Sequence, residues 1–339
     1  MPVDVLVVGG GSIGERHLRC FQDIGCSVSL CEANPTRLEE IANRYKLART
    51  FENVEEAARE VWYGIVIATP AHLHAEHAAA LIKSTEAMLI EKPLCTRSED
   101  IERLRTLSQG KMIQVAYVLR HHPATQHIRA LLAEGVIGKP HEVTVVAGQH
   151  FPTYRPAYRD IYYKSQATGG GAVQDAATHL FDLVQHLAGR LDWVFCDYAH
   201  QELADVEVED TVHLIGRSCG DRVLVSLALN QFMAPNETHL QINGAKGSLA
   251  IRFHEQRAGI FLHGDASWTW TEPLVTDRDE LFRAQAQNFI SAVVKADHCL
   301  CKLEDGVRAL AVNLAALRSG QSRTVEPVVI PELARKNRP

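Results

Sequence analysis

The sequence predicts an α/β protein with two domains, an N-terminal doubly wound parallel sheet and a C-terminal α+β domain with a large, mainly antiparallel sheet. Three observations predict this fold class. The chain has 339 residues, which is about the length of two average domains. Strand-like and helix-like segments alternate up to about residue 120, as in βαβ units. Beyond residue 190, strand-like segments follow one another without helices, which favours antiparallel pairing.

The N-terminal domain is predicted over residues 1–120. Its strand candidates are short, mostly apolar runs typical of strands covered on both faces: Val3–Val8, Ser27–Cys31, Ile65–Ala68, Met88–Ile90 and Met112–Ala116. Helical patterns separate them: Ile13–Ile24, Thr36–Tyr45, Val54–Val61, Ala71–Ile82 and Ser98–Leu107.

The C-terminal domain is predicted over residues 121–333, and residues 334–339 are expected to be a loose tail. A helix over Pro123–Leu132 precedes a strand over Glu142–Ala147. A second helix follows the glycine triplet 169–171 and ends near Leu187, and helices at about 279–296 and 305–318 close the domain. Between them, from Leu191 to Thr271, the pattern is mostly strands.

Composition excludes several classes of protein. The 35 Lys and Arg residues against 41 Asp and Glu give a net charge of -6, which argues against a nucleic-acid partner. No apolar run approaches the roughly 20 residues of a membrane-spanning helix, and the N-terminus reads as a core strand and not as a signal peptide. We therefore expect neither a membrane nor a nucleic acid as a partner.

Cysteine and histidine spacing gives no support for a metal. The eight cysteines are scattered without a C-x-x-C pair, as expected for free thiols in a reducing cytoplasm. His72, His74 and His77 cluster, but no cysteine or carboxylate stands beside them at metal-ligand spacing. We expect a cytoplasmic protein with no metal site.

A glycine loop follows the first predicted strand and opens the first predicted helix. Its G-x-G-x-x-G motif is Gly9, Gly11 and Gly14, within a βαβ unit of the right size for a Rossmann dinucleotide site. The first glycine allows the tight turn, the second lets the backbone approach a pyrophosphate, and the third lets helix and strand pack closely. The helix N-terminus then holds the anion. The predicted cofactor-binding residues here are Gly9, Gly11, Ser12, Ile13 and Gly14.

Glu32 ends the second predicted strand, eighteen residues after Gly14. A carboxylate at this place hydrogen-bonds the adenosine ribose and repels the 2′-phosphate of NADP. One charge pair at ~4 Å and an effective dielectric near 20 costs up to about 4 kcal/mol. We therefore expect NAD in preference to NADP, with Arg37 as the residue that could neutralise a phosphate.

Two Asp–His pairs stand on one predicted helix. Asp175 and His179 are four residues apart, and Asp182 and His186 repeat the spacing seven residues later on nearly the same stripe. A carboxylate can orient an imidazole, and histidine suits a general base near neutral pH. The spacing alone does not choose between the two pairs.

A segment rich in tyrosine and arginine precedes the glycine triplet. Arginine forks and tyrosine hydroxyls suit polyhydroxylated or acidic sugars, and a solvated surface loop is an equally good interpretation. The candidate substrate-binding residues in this part of the chain are Arg120, Arg155, Tyr158, Arg159 and Tyr162.

Three further motifs resemble the Gfo/Idh/MocA oxidoreductases, the family of glucose–fructose oxidoreductase and inositol dehydrogenase. They are the loop from Ala68 to His74, the E-K-P signature Glu91-Lys92-Pro93, and G-G-G-x-x-x-D-x-x-x-H from Gly169 to His179. With the glycine loop they span residues 3–186 in the family's order. The resemblance chooses Asp175 and His179 as the catalytic pair and implies a cis peptide bond before Pro93.

The resemblance also implies roles for the remaining site residues. Lys92 would contact the substrate hydroxyl and stabilise the developing alkoxide. The cofactor-binding residues implied in these loops are Thr69, Pro70, His72, His74, Glu91 and Lys92. The catalytic and substrate-binding residues implied are Lys92, Asp175 and His179.

The expected activity is that of an NAD(P)-dependent dehydrogenase acting on CH–OH groups, which reversibly oxidises a secondary hydroxyl of a sugar, cyclitol or sugar derivative. One alternative is an NAD-recycling glycosidase or lyase that oxidises a sugar transiently. Another is a non-enzymatic dinucleotide-binding sensor. The family resemblance further implies a homodimer or homotetramer.

Overall fold

The computed structural model describes residues 2–220, 222–275, 277–294 and 299–330. The chain divides into two compact units. The first contains the described residues up to Val118 together with those of Asp277–Val307, and the second contains those of Leu119–Thr276 and Arg308–Val329.

The division differs from the predicted domains in one respect, because the sequence placed all of 121–333 in the second domain. Residues 277–307 belong to the first unit since their apolar side chains complete its core, where Phe289 packs with Phe21 and Leu18. The predicted tail at 334–339 lies outside the described residues.

The first unit is built on a six-stranded parallel sheet. Its strands are β1 (Asp4–Val8), β2 (Ser27–Cys31), β3 (Thr50–Phe51), β4 (Gly64–Ile67), β5 (Ala87–Ile90) and β6 (Met112–Val115). The helices between them are α1 (Ser12–Asp23), α2 (Pro35–Arg44), α3 (Val54–Ala57), α4 (His74–Leu81) and α5 (Glu99–Leu107). The strand order is β3-β2-β1-β4-β5-β6. This order reverses between β1 and β4, so the carboxyl ends of these strands border the crevice where such sheets bind ligands.

Two local differences from the sequence prediction occur in this unit. The short strand β3 was not predicted. Helix α3 ends at Ala57 and not at Val61, and the Ala57 carbonyl oxygen accepts from the Glu60 N–H at 3.3 Å and from the indole N–H of Trp62 at 2.9 Å. A longer helix would use that carbonyl for its own hydrogen bond.

The second unit is built on a nine-stranded, mainly antiparallel sheet. Its strands are β7 (Pro140–Gly148), β8 (Leu191–Ala199), β9 (Thr211–Ser218), β10 (Val223–Asn230), β11 (Glu237–Gly244), β12 (Gly247–Arg252), β13 (Arg257–Leu262), β14 (Thr269–Trp270) and β15 (Glu326–Pro327). The order is β14-β13-β12-β11-β7-β10-β9-β8-β15, and of these pairs β7–β10 is parallel. Its helices include α6 (Pro123–Ala133), α7 (Phe151–Tyr154) and α8 (Thr178–Ala188).

Two long helices complete the chain. α9 (Arg278–Val294) packs on α1 in the first unit. α10 (Leu303–Ser322) begins in the first unit and continues in the second, where the Ser319 hydroxyl accepts from the Cys196 N–H at 2.8 Å. Within the described residues, no helix combines the length and the apolar character that crossing a membrane requires.

Candidate active site

The glycines of the loop after β1 and of the first turn of α1 are placed as their spacing predicts. Gly9 has a φ of +97°, and a Cβ there would lie 2.9 Å from the Ala68 carbonyl oxygen. A Cβ at Gly14 would overlap with the Gly9 carbonyl oxygen, whereas a Cβ at Gly11 would meet no atom within 4 Å. The close strand–helix approach therefore requires the outer two glycines, and the middle one borders open space.

The open space beside Gly11 fits a dinucleotide pyrophosphate. Gly11 is the N-cap of α1 and brings no side chain to the N–H groups of its first turn. Ser12 is exposed and Ile13 half-buried, and their backbone N–H groups belong to this turn. An anion held there would also interact favourably with the positive end of the helix.

Glu32 lies immediately after β2 and is almost fully buried. Its Oε2 accepts from the Gly10 N–H at 2.6 Å, and its Oε1 accepts from the Asn34 N–H at 2.8 Å. The carboxylate therefore holds the glycine loop to the turn after β2, at the place where a ribose is recognised. Nη1 of Arg37 is 3.7 Å from Oε2, so the cation foreseen as a phosphate partner does stand beside Glu32.

The two predicted histidines in and after the loop that follows β4 have different surroundings. Both ring nitrogens of the buried His74 contact backbone oxygens, Nε2 that of Thr69 at 2.8 Å and Nδ1 that of Pro93 at 3.0 Å. Burial lowers the pKa of His74. His74 thus lies between two loops of the protein, and its contact with the cofactor stays a prediction. His72 is exposed, while Pro70 is half-buried.

Glu91 is also buried, and both oxygens of its carboxylate contact other residues of the chain. Its Oε1 lies 2.7 Å from Nε2 of His17 on α1, and its Oε2 accepts from the Lys92 N–H at 3.1 Å. This differs from the cofactor contact that the sequence assigned to Glu91. The predicted cis peptide bond between Lys92 and Pro93 is confirmed, and Lys92 is half-buried just beyond the carboxyl end of β5. The sequence did not predict the contact of His17 with Glu91. The feature that could have indicated it is a histidine on the buried face of α1, beside Leu18 and Phe21.

The glycine triplet accommodates a buried carboxyl group that the sequence analysis also missed. A Cβ on Gly171 would overlap with the carboxyl of Glu209. Glu209 accepts from the Val173 N–H at 2.9 Å and from Nε2 of Gln166 at 2.8 Å. Burial raises the pKa of Glu209. The triplet therefore lets this carboxyl cap the helix that carries Asp175.

That helix starts with a π-helical turn, Ala172–Ala177, and continues as α8. Asp175 lies in the π-helical turn and is buried, and its Oδ2 accepts from Nη1 of Arg155 at 2.8 Å while its Oδ1 accepts from the Tyr162 hydroxyl at 2.8 Å. His179, half-buried, is the second residue of α8. Such π-helical turns are frequent at functional sites. The structure thus brings together three predicted residues: Asp175, Arg155 and Tyr162.

Two other predicted substrate-binding residues have different surroundings. Tyr158 is buried in an aromatic cluster with Phe151 and Tyr163, and its hydroxyl donates to the Ala204 carbonyl oxygen at 3.1 Å. Arg159 is exposed and pairs with Asp205 at 3.2 Å. The structure therefore packs Tyr158 in a buried cluster and places Arg159 in a surface ion pair, and their contact with substrate stays a prediction.

Arg120 forms a buried, two-pronged ion pair with Asp182. Nε donates to Oδ2 at 2.9 Å and Nη2 to Oδ1 at 2.6 Å, with both side chains buried. The guanidinium predicted to bind substrate is therefore held by the second Asp–His motif, and the carboxylate of that motif is committed to Arg120. Both aspartates are thus paired with an arginine, and they differ in the partner: Arg120 for Asp182, and Arg155 with the Tyr162 hydroxyl for Asp175.

Metal ligation finds no support in the described part of the chain, where histidine, cysteine and carboxylate side chains form no group of three that could hold an ion. The cysteines at 20, 26, 31, 95, 196 and 219 are free thiols.

Family comparisons agree with this geometry. The family model for the NAD-binding Rossmann fold of an oxidoreductase family matches residues 3–117, and the model for the GFO/IDH/MocA C-terminal domain matches residues 125–250. The chain belongs to the Gfo/Idh/MocA oxidoreductases. The predicted fold class, the NAD cofactor and the dehydrogenase class are thereby confirmed.

Relatives and solved structures of Gfo/Idh/MocA proteins match most of the chain. Inositol 2-dehydrogenase of Rhizobium meliloti (strain 1021) is 24% identical over 333 residues, covering 94% of this chain and 97% of that protein. Levoglucosan dehydrogenase of Pseudarthrobacter phenanthrenivorans is 27% identical over 209 residues, covering 57% and 53%. A structure of levoglucosan dehydrogenase with NADH and levoglucosan superposes with a TM-score of 0.86 at 21% identity, covering 98% of this chain and 100% of that one. At that identity the superposition shows a shared fold.

Proposed function

We propose that this Gfo/Idh/MocA protein reversibly oxidises a secondary hydroxyl of a sugar or cyclitol by hydride transfer, with Lys92, Asp175 and His179 as its catalytic residues. The observation that carries the proposal is the buried Asp175 carboxylate, which Arg155 and Tyr162 bind four residues before His179. An oriented carboxylate beside an imidazole is suited to removing a proton from an alcohol.

The roles follow from the balance of the reaction. Oxidation removes a proton from the hydroxyl oxygen and a hydride from its carbon. Bound NAD supplies the hydride acceptor. We assign the proton to His179, the orientation of the base to Asp175, and stabilisation of the developing alkoxide to the ammonium of Lys92.

The substrate class rests on the named relatives. Their printed names refer to inositol and levoglucosan, a cyclitol and an anhydrosugar. These relatives support a dehydrogenase over the NAD-recycling hydrolase or lyase and over the sensor. The guanidinium of Arg155 has further N–H donors and the hydroxyl oxygen of Tyr162 can accept, and both suit a polyhydroxylated ligand.

The test is an NAD-reduction screen followed at 340 nm over inositols, anhydrosugars, sugars and sugar acids. We expect NADH to accumulate with at least one of them, and His179→Ala to lower kcat by about 10²–10⁴-fold while NADH binding is retained. A His179→Ala protein with wild-type kcat would overturn the assignment of the base. Release of a leaving group without net NADH would instead support the hydrolase or lyase.

We further propose that the protein is a homodimer or homotetramer in which copies meet through the outer face of the nine-stranded sheet. Val146, Ile215 and Leu224 on β7, β9 and β10 are 45%, 54% and 50% exposed. Val146 and Ile215 line a groove of about 410 Å³ with a mostly apolar lining. Light scattering should give a multiple of the 37.6 kDa chain mass, and Ile215→Arg should shift it towards the monomer. A monomeric wild type would contradict this proposal.

We also propose a cytoplasmic location. Free thiols such as those described above are typical of a reducing compartment. Fractionation of the producing cell should recover the protein with cytoplasmic markers.

A further inference from the structure

Two buried histidines hold the residues on either side of Lys92. His17, on α1, contacts the Glu91 carboxylate, and His74, at the start of α4, contacts the carbonyl oxygen of Pro93. Both rings are almost fully buried within the first unit. Neither has a role in the proposed proton or hydride transfer.

His17 reaches Lys92 through Glu91. Nε2 of His17 is 2.7 Å from Oε1 of Glu91, and Oε2 of the same carboxylate accepts the Lys92 N–H at 3.1 Å. Because an ionised carboxylate only accepts, Nε2 carries the hydrogen of this contact. A carboxylate this deeply buried requires such donors. Within the described part of the chain, Nδ1 of His17 is buried without a hydrogen bond. The contact of Nε2 with Glu91 is therefore the hydrogen bond that the structure gives to this imidazole.

The ring of His17 is also fixed by its neighbours. Its centroid lies 5.5 Å from that of Phe282 in an edge-on arrangement and 6.5 Å from that of Phe21. The imidazole therefore has little freedom to turn away from Glu91. The packing of the His17 ring therefore keeps the contact between α1 and Glu91, in the loop after β5, in one geometry.

His74 holds the other side of the same loop. Nδ1 lies 3.0 Å from the Pro93 oxygen and 3.3 Å from the Leu94 oxygen, and Nε2 lies 2.8 Å from the Thr69 oxygen. The ring thereby lies between the loops after β4 and β5, and because carbonyl oxygens only accept, a contact is a hydrogen bond where its ring nitrogen carries the hydrogen. A hydrogen bond from the buried ring to a backbone carbonyl stabilises this arrangement.

We propose that His17 and His74 are positioning residues that fix the backbone of Lys92 and so aim its ammonium at the substrate. The proposal rests on the role proposed above for Lys92. Neither histidine touches substrate in this account, so their replacement should lower kcat and leave dinucleotide affinity nearly unchanged. A misplacement of about 1 Å in a reacting group can cost about 10²-fold in rate.

The test is a double-mutant cycle in the full-length protein, with the substrate found by the NAD screen. The variants are His17→Leu, Lys92→Met and the double variant, and the readouts are kcat and the Kd for NADH. We expect His17→Leu to lower kcat by about 10–100-fold in the wild-type background but by less than about threefold in Lys92→Met, because the lysine it positions is then absent. The Kd for NADH should change by less than about threefold, and His17→Gln, whose amide can still donate to Glu91, should recover part of the rate.

Leu18→Ala is the matched control for lost stability. Leu18 is buried in the core beside His17 on α1, so this variant destabilises the same helix without removing a contact to Glu91. It should keep kcat within about twofold, measured well below its melting temperature. His74→Leu should show the same dependence on Lys92 as His17→Leu.

The outcomes separate the two proposals. Equal losses from His17→Leu in the wild-type and Lys92→Met backgrounds would overturn the positioning role while the role of Lys92 stands. An unchanged kcat in a folded His17→Leu protein would overturn it as well. A Lys92→Met protein with wild-type kcat would overturn the proposed catalytic role of the lysine, and the positioning proposal with it.

Discussion

The guanidinium of Arg155 donates to Oδ2 of Asp175 at 2.8 Å, and the two ends of this ion pair differ in exposure. The Arg155 side chain is 38% exposed and the Asp175 side chain 1%. Cζ of Arg155 also lies 5.1 Å from the centre of the Phe151 ring, so the cation is held on two sides. Asp175 raises the pKa of Arg155, which remains charged. The pair keeps a buried carboxylate compensated four residues before the proposed base.

Removing this cation should impair turnover. We expect Arg155→Met to lower kcat by about 10–100-fold, because Asp175 loses both charge compensation and one fixed direction, and Arg155→Lys to recover part of that loss. Steady-state kinetics provide the measurement. Arg318→Met, which breaks an exposed pair with Glu326 at 3.2 Å, is the control and should change kcat less than twofold. Equal kcat values for Arg155→Met and the control would contradict this role.

Gly11 and Gly14 should respond differently to the same added methyl group. Gly14→Ala should fail to fold stably, because its Cβ would overlap with the Gly9 carbonyl oxygen. Gly11→Ala should keep its melting temperature within a few degrees but bind NADH at least about tenfold more weakly, because its Cβ enters the space predicted for the pyrophosphate. Thermal melts and NADH fluorescence titrations measure the two effects. A Gly11→Ala protein that binds NADH like the wild type would contradict this location of the pyrophosphate.

Glu32 should decide between the two dinucleotides. Glu32→Gln keeps an acceptor oxygen for the Gly10 or Asn34 N–H but removes the charge that repels a 2′-phosphate. The ratio of kcat/KM for NAD to that for NADP should fall by about 10–100-fold, within the ~4 kcal/mol that one charge pair contributes. Arg37→Ala in the Glu32→Gln background should reverse part of the gain with NADP, since Arg37 lies 3.7 Å from the carboxylate. An unchanged ratio in Glu32→Gln would refute the role of the charge.

Glu209 gives a prediction for pH. Burial raises the pKa of this carboxyl above its ordinary value of 4.5, so the folded protein favours its protonated form. Its contribution to the free energy of unfolding is therefore complete at low pH and falls as pH rises from about 4.5 through the raised value. Glu209→Gln is neutral throughout, so its stability relative to wild type should increase across that range and then level off. Denaturant unfolding of both proteins at a series of pH values measures this, and a difference independent of pH would contradict it.

Features set by local patterns could be predicted from the sequence. The apolar runs and helical spacings gave the six-stranded sheet with boundaries within a few residues, apart from the two-residue β3 and the early end of α3. The strands of the second sheet were predicted from alternating apolar and polar residues. On β11, for example, Leu240 and Ile242 are both fully buried. These features depend on residues close together in the chain.

Features that depend on distant residues could not be predicted. The partners of Asp175 lie 20 and 13 residues earlier, in a segment without periodicity, and Glu209 lies 36 residues from the N–H of Val173 that it accepts from. His17 and Glu91 are separated by 74 residues. Tyr158 and Tyr162 stand in the same segment, yet one is buried against Phe151 and the other binds Asp175, and only the fold distinguishes them.

The π-helical turn at Ala172–Ala177 gives the proposed site an unusual sensitivity to chain length. Each residue of an α-helix advances the side chains by about 100°, and a π-helical turn holds one residue more than an α-helical turn. Deleting Ala176 would let the segment wind as ordinary α-helix and would swing Asp175 about a quarter-turn relative to His179. A single codon lost here would thus redirect the carboxylate without altering any of the residues that bind it.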